Sequence, residues 1–550
     1  MTTFSGPPPE TEGGIGALTL GGFFAEVVGR HRDREALAWR RAGSPATTRW
    51  TYEQLGREGR RIGRALLAAG VGKGTRVGLL MGNRPEWVAA AYGVAMAGGV
   101  LVPMNTFYEA PELEHVLAHS DTAVLLLQEG LGRHAYLDTV RTIWGSHPST
   151  RLPFLRQVVC LGTDSWTDLL AGAETVPEER LRACAASVSP FDDAIVIYTS
   201  GSTASPKGVL HGHRAPTLQS WRFVRHLGIE ADDRVWSPYP LFWSAGFSMV
   251  MGATLAAGGC LVLQERFEAA ESLALLEEER ITTPFAWPHQ VADLEDHPDW
   301  ARRDLSALRH VESFTGWGRH PSVKVGDVWS PRAAYGLTET FTILSSLPAG
   351  TPLEARADSQ GPVLPGMHVR IVDPHTGRPQ GAGADGGIAV KGTCLMKGYV
   401  KVGPEECFDL DGFFHTGDAG FVDEHGLLHW TGRTDDLIKS AGANVSPVEI
   451  ETVLLEHPGL KAAVAVAVPH STLGQMVVLA AVAHDGASIT EADVQEFLRG
   501  RIASYKIPRR VLFFVEADLV QTGNAKIKTA ELRSLAVARL AAEAASGQPT

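Results

Sequence analysis

The stretch from Ala194 to Gly208 reads AIVIYTSGSTASPKG, and its two halves obey different physical rules. The run from Ala194 to Tyr198 is short, apolar and bounded by polar residues, the pattern of a strand buried on both faces. The second half, Thr199 to Gly208, is hydroxyls and glycine closed by a lysine. Glycine lets backbone N–H groups approach an anion, hydroxyls donate further hydrogen bonds, and a lysine adds a mobile point charge. A phosphate-binding loop is expected, with Thr199, Ser200, Gly201, Ser202, Thr203 and Lys207 as its ligands. It is not a Walker loop, because G-x-x-x-x-G-K-[ST] is absent. A plain Ser/Gly surface turn is the competing reading, and specified positions directly after a buried strand count against it.

Outward from this point the same grammar repeats. RVGLLMG (76–82), TAVLLL (122–127), RQVVCLG (156–162), CLVLQE (260–265) and HVRIVD (368–373) are short apolar runs. Between them YEQLGREGRRIGRALLAAG (52–70), PEWVAAAYGVAMAGG (85–99) and ESLALLEEER (271–280) read as helices. Alternation of this kind predicts an α/β fold of parallel-rich sheets covered by helices. The texture changes after GFVDEHGLLHWTGRTDDLIK (420–439), where VSPVEIETVLLEHPG and EADVQEFLRGRIAS read as helices around two apolar runs, a compact α+β tail. The expected organisation is a flexible leader over 1–17 and a large multi-lobed domain over 18–432. A hinge over 433–436 and a small C-terminal domain over 437–550 complete it.

Bulk composition narrows the function. With 550 residues the chain exceeds one ordinary core. A net charge of −12 argues against broad nucleic-acid or anionic-membrane binding, so any phosphate must be held locally. No stretch is long and apolar enough to span a bilayer. The five cysteines, Cys160, Cys184, Cys260, Cys394 and Cys407, form no C-x-x-C pair, and no basic segment precedes an apolar one at the N-terminus. Reduced thiols and a cytoplasmic location are the expectation.

The loop resembles the signature loop of the adenylate-forming superfamily, which includes acyl-CoA synthetases, adenylation domains of peptide synthetases and firefly luciferases. Further blocks follow in the family's order. Pro240 to Gly246 (PLFWSAG) stands where the family has the segment beside its acyl pocket, and Tyr335-Gly336-Leu337-Thr338-Glu339 resembles Y-G-x-T-E. Asp411 to Asp418 (DGFFHTGD) and Gly432 to Lys439 (GRTDDLIK) resemble the ribose and hinge blocks, and Lys526 closes TGNAK.

The resemblance implies a role for each position. Tyr335 would stack on adenine beside Gly336 and Thr338, Glu339 with Thr199 would hold Mg²⁺, and Asp418 would bind the ribose hydroxyls with Arg433 near the nucleotide. Lys526 would bridge the substrate carboxylate and the α-phosphate, and Asp435 would be the pivot. Lys439, Ser440 and Gly442 would reach the acyl site when a thiol is admitted. The implied activity is formation of an acyl-adenylate from ATP, followed by transfer to the thiol of coenzyme A.

Departures from the pattern bear on the substrate. Ala525 stands where glycine is commoner, and if that position needs positive φ its Cβ costs about 1 kcal/mol. Glu312 to Gly318 (ESFTGWG) replaces the usual Gly-Gly-Ala-Pro run, and Trp243 takes a place often held by histidine. With Phe247, Trp287, His289 and Trp317, these suggest a shallow, aromatic-lined acyl pocket also bounded by Gly336, favouring an aryl or short acid; ordinary core packing is the competing reading. The 242–247 stretch lacks the aspartate with which amino-acid-activating relatives hold an α-ammonium. Two alternatives stay open: the same adenylation with a carrier-protein thiol in trans or an amine- or nitrite-type acceptor, and a nucleotide-binding regulator with weakened catalysis.

Overall fold

The computed structural model describes residues 2–545 except 42, 45, 146–148, 200–205, 326–328, 357–358, 374–375, 434–437, 441–442, 471–473, 500, 503–505 and 519–527. Two parallel-rich sheets form the body. In the first, Gln157–Cys160, Val124–Leu127, Arg76–Leu80, Val100–Pro103 and Asp193–Thr199 run parallel as neighbours, and Lys207–Gly212 and Gly398–Tyr399 close one edge antiparallel. Val100–Pro103 and Val124–Leu127 are buried at every position, which is why they read as unbroken apolar runs. In the second sheet Thr283–Pro284, Arg234–Ser237, Cys260–Gln264 and Glu35–Arg40 are parallel, with Thr47–Thr51 antiparallel at the end.

Helices cover these sheets. Tyr52–Ala68 starts at a capping box in which Thr51 and Gln54 satisfy each other's backbone N–H groups. It turns Leu55, Ile62 and Leu66 onto Pro85–Met96, a helix buried over almost its whole circumference.

A third sheet departs from the expected parallel pattern. The run HVRIVD belongs to Met367–Val372, which pairs antiparallel with Gly386–Gly392, followed by Phe414–Val422 and Leu428–Arg433. The connection between the last two is a tight turn in which the Asp423 carboxylate accepts from the N–H groups of His425 and Leu427. Such a short link permits only an antiparallel pair.

The leader also departs from expectation. Phe4–Ser5 adds an antiparallel edge strand against Val369 and His368, and the Glu12 carboxylate lies 2.8 Å from the Arg222 guanidinium with both side chains almost fully buried. Deleting one partner of such a pair strands the other charge in the interior, so these residues are structural.

The tail is α+β as read. Ser446 caps the helix Pro447–Leu454, the strands Leu460–His470 and Gly474–Ala483 pair antiparallel, and Arg510–Phe513 joins the second in parallel. The helices Glu491–Leu498 and Thr529–Ala545 complete it. Lys461 ties this unit to the body, its ammonium 2.7 Å from Asp293 on the helix Pro288–Glu295 and 2.9 Å from Glu516. Burial disfavours this charge, but its carboxylate partners outweigh that and hold the ammonium well above its ordinary range. Among the described residues no helix is long and apolar enough to cross a membrane.

Candidate functional site

The apolar run ends where it should for a phosphate loop. Asp193–Thr199 and Lys207–Gly212 form an antiparallel hairpin whose last pair is Thr199 opposite Lys207, so the hydroxyl and the lysine flank the hairpin's mouth. Gly208 keeps the mouth narrow, since a Cβ there would lie 2.9 Å from Tyr198 Cζ. Ser200, Gly201, Ser202 and Thr203 lie outside the described residues.

Glu339 comes to the same place from elsewhere in the chain. Its Oε1 accepts a 2.8 Å hydrogen bond from the Tyr399 phenol, and Lys207 Nζ stands 5.5 Å from the centre of the Tyr399 ring. Burial, then the Glu339 charge, push the phenol's pKa far up, so Tyr399 is a donor at all ordinary pH. Sequence alone marks Tyr399 only as an aromatic directly after Gly398; the structure adds its place at the sheet edge.

The segment carrying Glu339 is held from below. His211 Nε2 donates to the Thr338 carbonyl at 2.8 Å, and the Gln219 amide donates to the carbonyls of Thr340 and Ile343. Burial lowers the His211 pKa to about 4, so the ring is neutral and Nε2 carries the proton. Phe341 and Thr342 adopt φ of 50° and 104°, a left-handed corner that a β-branched residue rarely accepts. Thr338 precedes this corner, and Gly336 sits at the β-bulge after Tyr335.

Tyr335 and Asp418 meet 83 residues apart in sequence: the buried phenol donates to Asp418 Oδ2 at 2.6 Å. Gly417, at φ 74°, turns the strand so that the Asp418 carboxylate faces Tyr335, and Arg433 Nη1 lies 3.3 Å from its other oxygen. The Tyr335 ring stacks against Trp430 with centroids 6.3 Å apart. The arrangement offers a flat apolar wall, a buried carboxylate able to accept from vicinal hydroxyls, a hard carboxylate and a lysine, which together suit a nucleotide triphosphate. No group of three or more His, Cys, Asp or Glu suited to a metal occurs among the described residues. One carboxylate and a hydroxyl still fit Mg²⁺, which binds through one or two carboxylates plus substrate phosphates.

The aromatic set divides. Trp243 meets Trp287 edge-on at 6.2 Å, and Trp287 meets Tyr239 at 4.6 Å. Phe247 instead is 1% exposed, packed among Trp87, Tyr92 and Phe341, and Trp317 packs against Trp236 and Trp300. Both were expected to line the acyl pocket. Phe247 is a core residue, and Trp317 presents one edge to a cavity of about 520 Å³ while its body fills the core. That cavity lies between Tyr239, Phe285, Trp287 and Trp329 of the body and Val448, Leu454 and Leu455 of the tail. His289 has Asp293 of its own helix and Glu516 and Lys461 of the tail as its charged neighbours, and burial lowers its pKa. Ser440 pairs with Ala443 and Gly474 in the tail sheet; the Lys439 side chain, Gly442, Asp435 and Lys526 lie outside the described residues.

Comparison with known proteins gives the same address. Residues 24–400 match the AMP-binding enzyme family and 449–526 its C-terminal domain. A feruloyl-CoA synthase of Amycolatopsis sp is 32% identical over 88% of this chain and 94% of its own length. An indoleacetate–CoA ligase of Aromatoleum aromaticum is 31% identical over 88% and 93%. The crystal structure of the anthranilate CoA ligase AuaEII in complex with anthranoyl-AMP superposes with a TM-score of 0.79 at 25% identity, covering 95% of this chain and 98% of that one. Both parts of the family pattern occur in order along a chain that its relatives match nearly end to end, and the chain belongs to the AMP-binding, adenylate-forming enzyme family.

Proposed function

We propose that this protein is an AMP-forming acid–thiol ligase that activates an aryl carboxylic acid and transfers the acyl group to coenzyme A. The observation that carries the reading is the joining of Lys207, Tyr399 and Glu339 on one side of the Y-G-x-T-E block to Tyr335, Asp418 and Arg433 on the other. These are the groups that phosphate, metal, base and ribose would need, gathered around a single segment.

In the first step a carboxylate oxygen attacks the α-phosphorus of ATP and the bond from that phosphorus to the bridging oxygen of pyrophosphate breaks. The barrier lies in alignment and in charge growing on the leaving group, and no protein nucleophile is required. Asp418 accepts from the ribose hydroxyls, Tyr335 backed by Trp430 forms one wall for the base, and Lys207 neutralises phosphate charge beside Thr199. Glu339 and Thr199 would hold Mg²⁺, which when bound would supply further neutralisation of phosphate charge. Lys526 clamps the carboxylate and the α-phosphate.

In the second step the thiol sulfur attacks the acyl carbonyl, the bond to AMP oxygen breaks, and the thiol proton leaves to solvent. Rotation of the tail about Asp435 withdraws Lys526 and brings Lys439, Ser440 and Gly442 to the acyl site, so one site serves two reactions. Trp243, Trp287 and Tyr239 suit the edge of an aromatic ring, and relatives named for ferulate, indoleacetate and anthranilate support an aryl substrate.

The test is carboxylate-dependent exchange of pyrophosphate into ATP over aryl, short and long acids, followed by thioester formation with coenzyme A. Exchange greatest with aryl acids is expected, and exchange with long-chain acids alone would overturn the substrate class. Lys526→Ala is expected to cripple exchange far more than thiolation of a supplied acyl-adenylate; equal loss in both would refute the division of labour.

A further inference from the structure

We propose that His115 and His119 are positioning residues that fix the two ends of the phosphate loop for ATP. Both lie on the helix Ala110–His119, one turn apart and hence on one face, with rings stacked at 5.2 Å. His115 Nε2 is 3.2 Å from the carbonyl oxygen of Pro206, and His119 Nδ1 is 2.8 Å from the Tyr198 hydroxyl. Pro206 immediately precedes Lys207, and Tyr198 immediately precedes Thr199. One helix face therefore touches the residue before each end of the hairpin's mouth, where Thr199 and Lys207 are paired.

The need for such a device follows from the pairing of Thr199 with Lys207, whose backbone directions are set by the residues immediately before them, Tyr198 and Pro206. Pro206 has no N–H, so its carbonyl is its only backbone hydrogen-bonding group, and His115 takes it. A carbonyl can only accept, so His115 donates through Nε2–H. Burial and the neighbouring His115 hold the His119 ring below its ordinary value, leaving it neutral beside the buried Tyr198 phenol. The contacts thus set the exit angle of Lys207 and the entry of Thr199 without touching the nucleotide.

The inference rests on the proposed reaction, and the test separates the two. His115→Phe keeps a stacking ring and loses the donor; His115→Gln restores a donor. Loss of one neutral hydrogen bond corresponds to about a 3- to 10-fold effect. The KM for ATP in pyrophosphate exchange is expected to rise by that factor in His115→Phe, with kcat and the KM for the acid within about twofold, and to return in His115→Gln. Thiolation of a supplied acyl-adenylate, which carries no β- or γ-phosphate, is expected to be unchanged. An unchanged KM for ATP, an equal loss in thiolation, or no rescue by glutamine overturns the positioning role. Absence of exchange in the unaltered protein overturns the proposed reaction instead. Tyr198→Phe, which removes the hydroxyl at His119 and leaves the helix intact, carries the same comparison if His115→Phe does not fold.

Discussion

Replacing Tyr335 with phenylalanine probes the proposed ribose site through an atom that need not touch the nucleotide. The phenol donates to Asp418 Oδ2 at 2.6 Å, and both residues are buried, so the bond is charge-assisted and poorly replaced by water. A hydrogen bond to a charged group contributes about 1.5–3 kcal/mol. Arg433, 3.3 Å from the other carboxylate oxygen, still compensates Asp418 in the variant, which places the loss near the lower end, about 1.5–2 kcal/mol. That is roughly a 10- to 30-fold rise in the KM for ATP in pyrophosphate exchange. The decisive comparison uses 2′,3′-dideoxy-ATP, which lacks both hydroxyls that Asp418 would accept from. The unaltered enzyme is expected to bind it poorly, and Tyr335→Phe to weaken it by less than about twofold, because the interaction being damaged is already absent. A melt of the variant separates this from loss of fold. If the substitution weakens ATP and the dideoxy analogue equally, Tyr335 acts as a wall for the base only, and the ribose role of Asp418 is wrong.

Tyr399→Phe removes the phenol that donates to Glu339 Oε1, and the Mg²⁺ concentration for half-maximal exchange is expected to shift about 3- to 10-fold; an unchanged Mg²⁺ titration would dissociate Glu339 from the metal. Burial holds His211, His213 and His226 at about 4, against 6.5 in the unfolded chain. The unfolded state therefore takes up protons that the folded state refuses, and stability falls as pH drops from about 6.5 to about 4, by about 1.4 kcal/mol per pH unit for each ring. Urea denaturation at pH 7.5 and 5.0 checks this, with His211→Gln expected to flatten the slope by up to about 1.4 kcal/mol per pH unit; equal midpoints at the two pH values would refute it. Lys461→Ala leaves Asp293 and Glu516 facing each other without their cation, and limited proteolysis between body and tail is expected to quicken about 5-fold or more. Cleavage at the original rate would show that the ion pair does not restrain the tail.

What could be read from sequence was local. AIVIY becomes the strand Asp193–Thr199 because a strand buried on both faces needs nothing beyond a short apolar run with polar ends. Tyr335, Glu339 and Asp418 stood out because each sits in a block whose neighbours constrain it. Tyr399, His211, Gln219 and Trp430 did not, since each acquires meaning only from a partner about 60 to 127 residues away. The tryptophans show the limit most clearly: the same residue type faces Tyr239 at Trp287 and fills the core at Trp317, and no pattern in the flanking residues distinguishes the two. Antiparallel pairing of Met367–Val372 is equally hidden, because an apolar run shows that it is a strand and not which strand lies beside it.

The pinned leader carries a consequence for how the chain is made. Ser5 is synthesised 363 residues before His368, the ring to which its hydroxyl is hydrogen-bonded. At about 5–20 residues per second on the ribosome, the first strand waits about 20–70 s for the sheet that receives it. The two parallel-rich sheets have most of their strands by then, so Phe4–Ser5 docks after those sheets are largely laid down, and Glu12 can reach Arg222 well before that edge closes. A bulky substitution on Phe4–Ser5 would therefore act on closure of the third sheet and leave the two parallel-rich sheets alone.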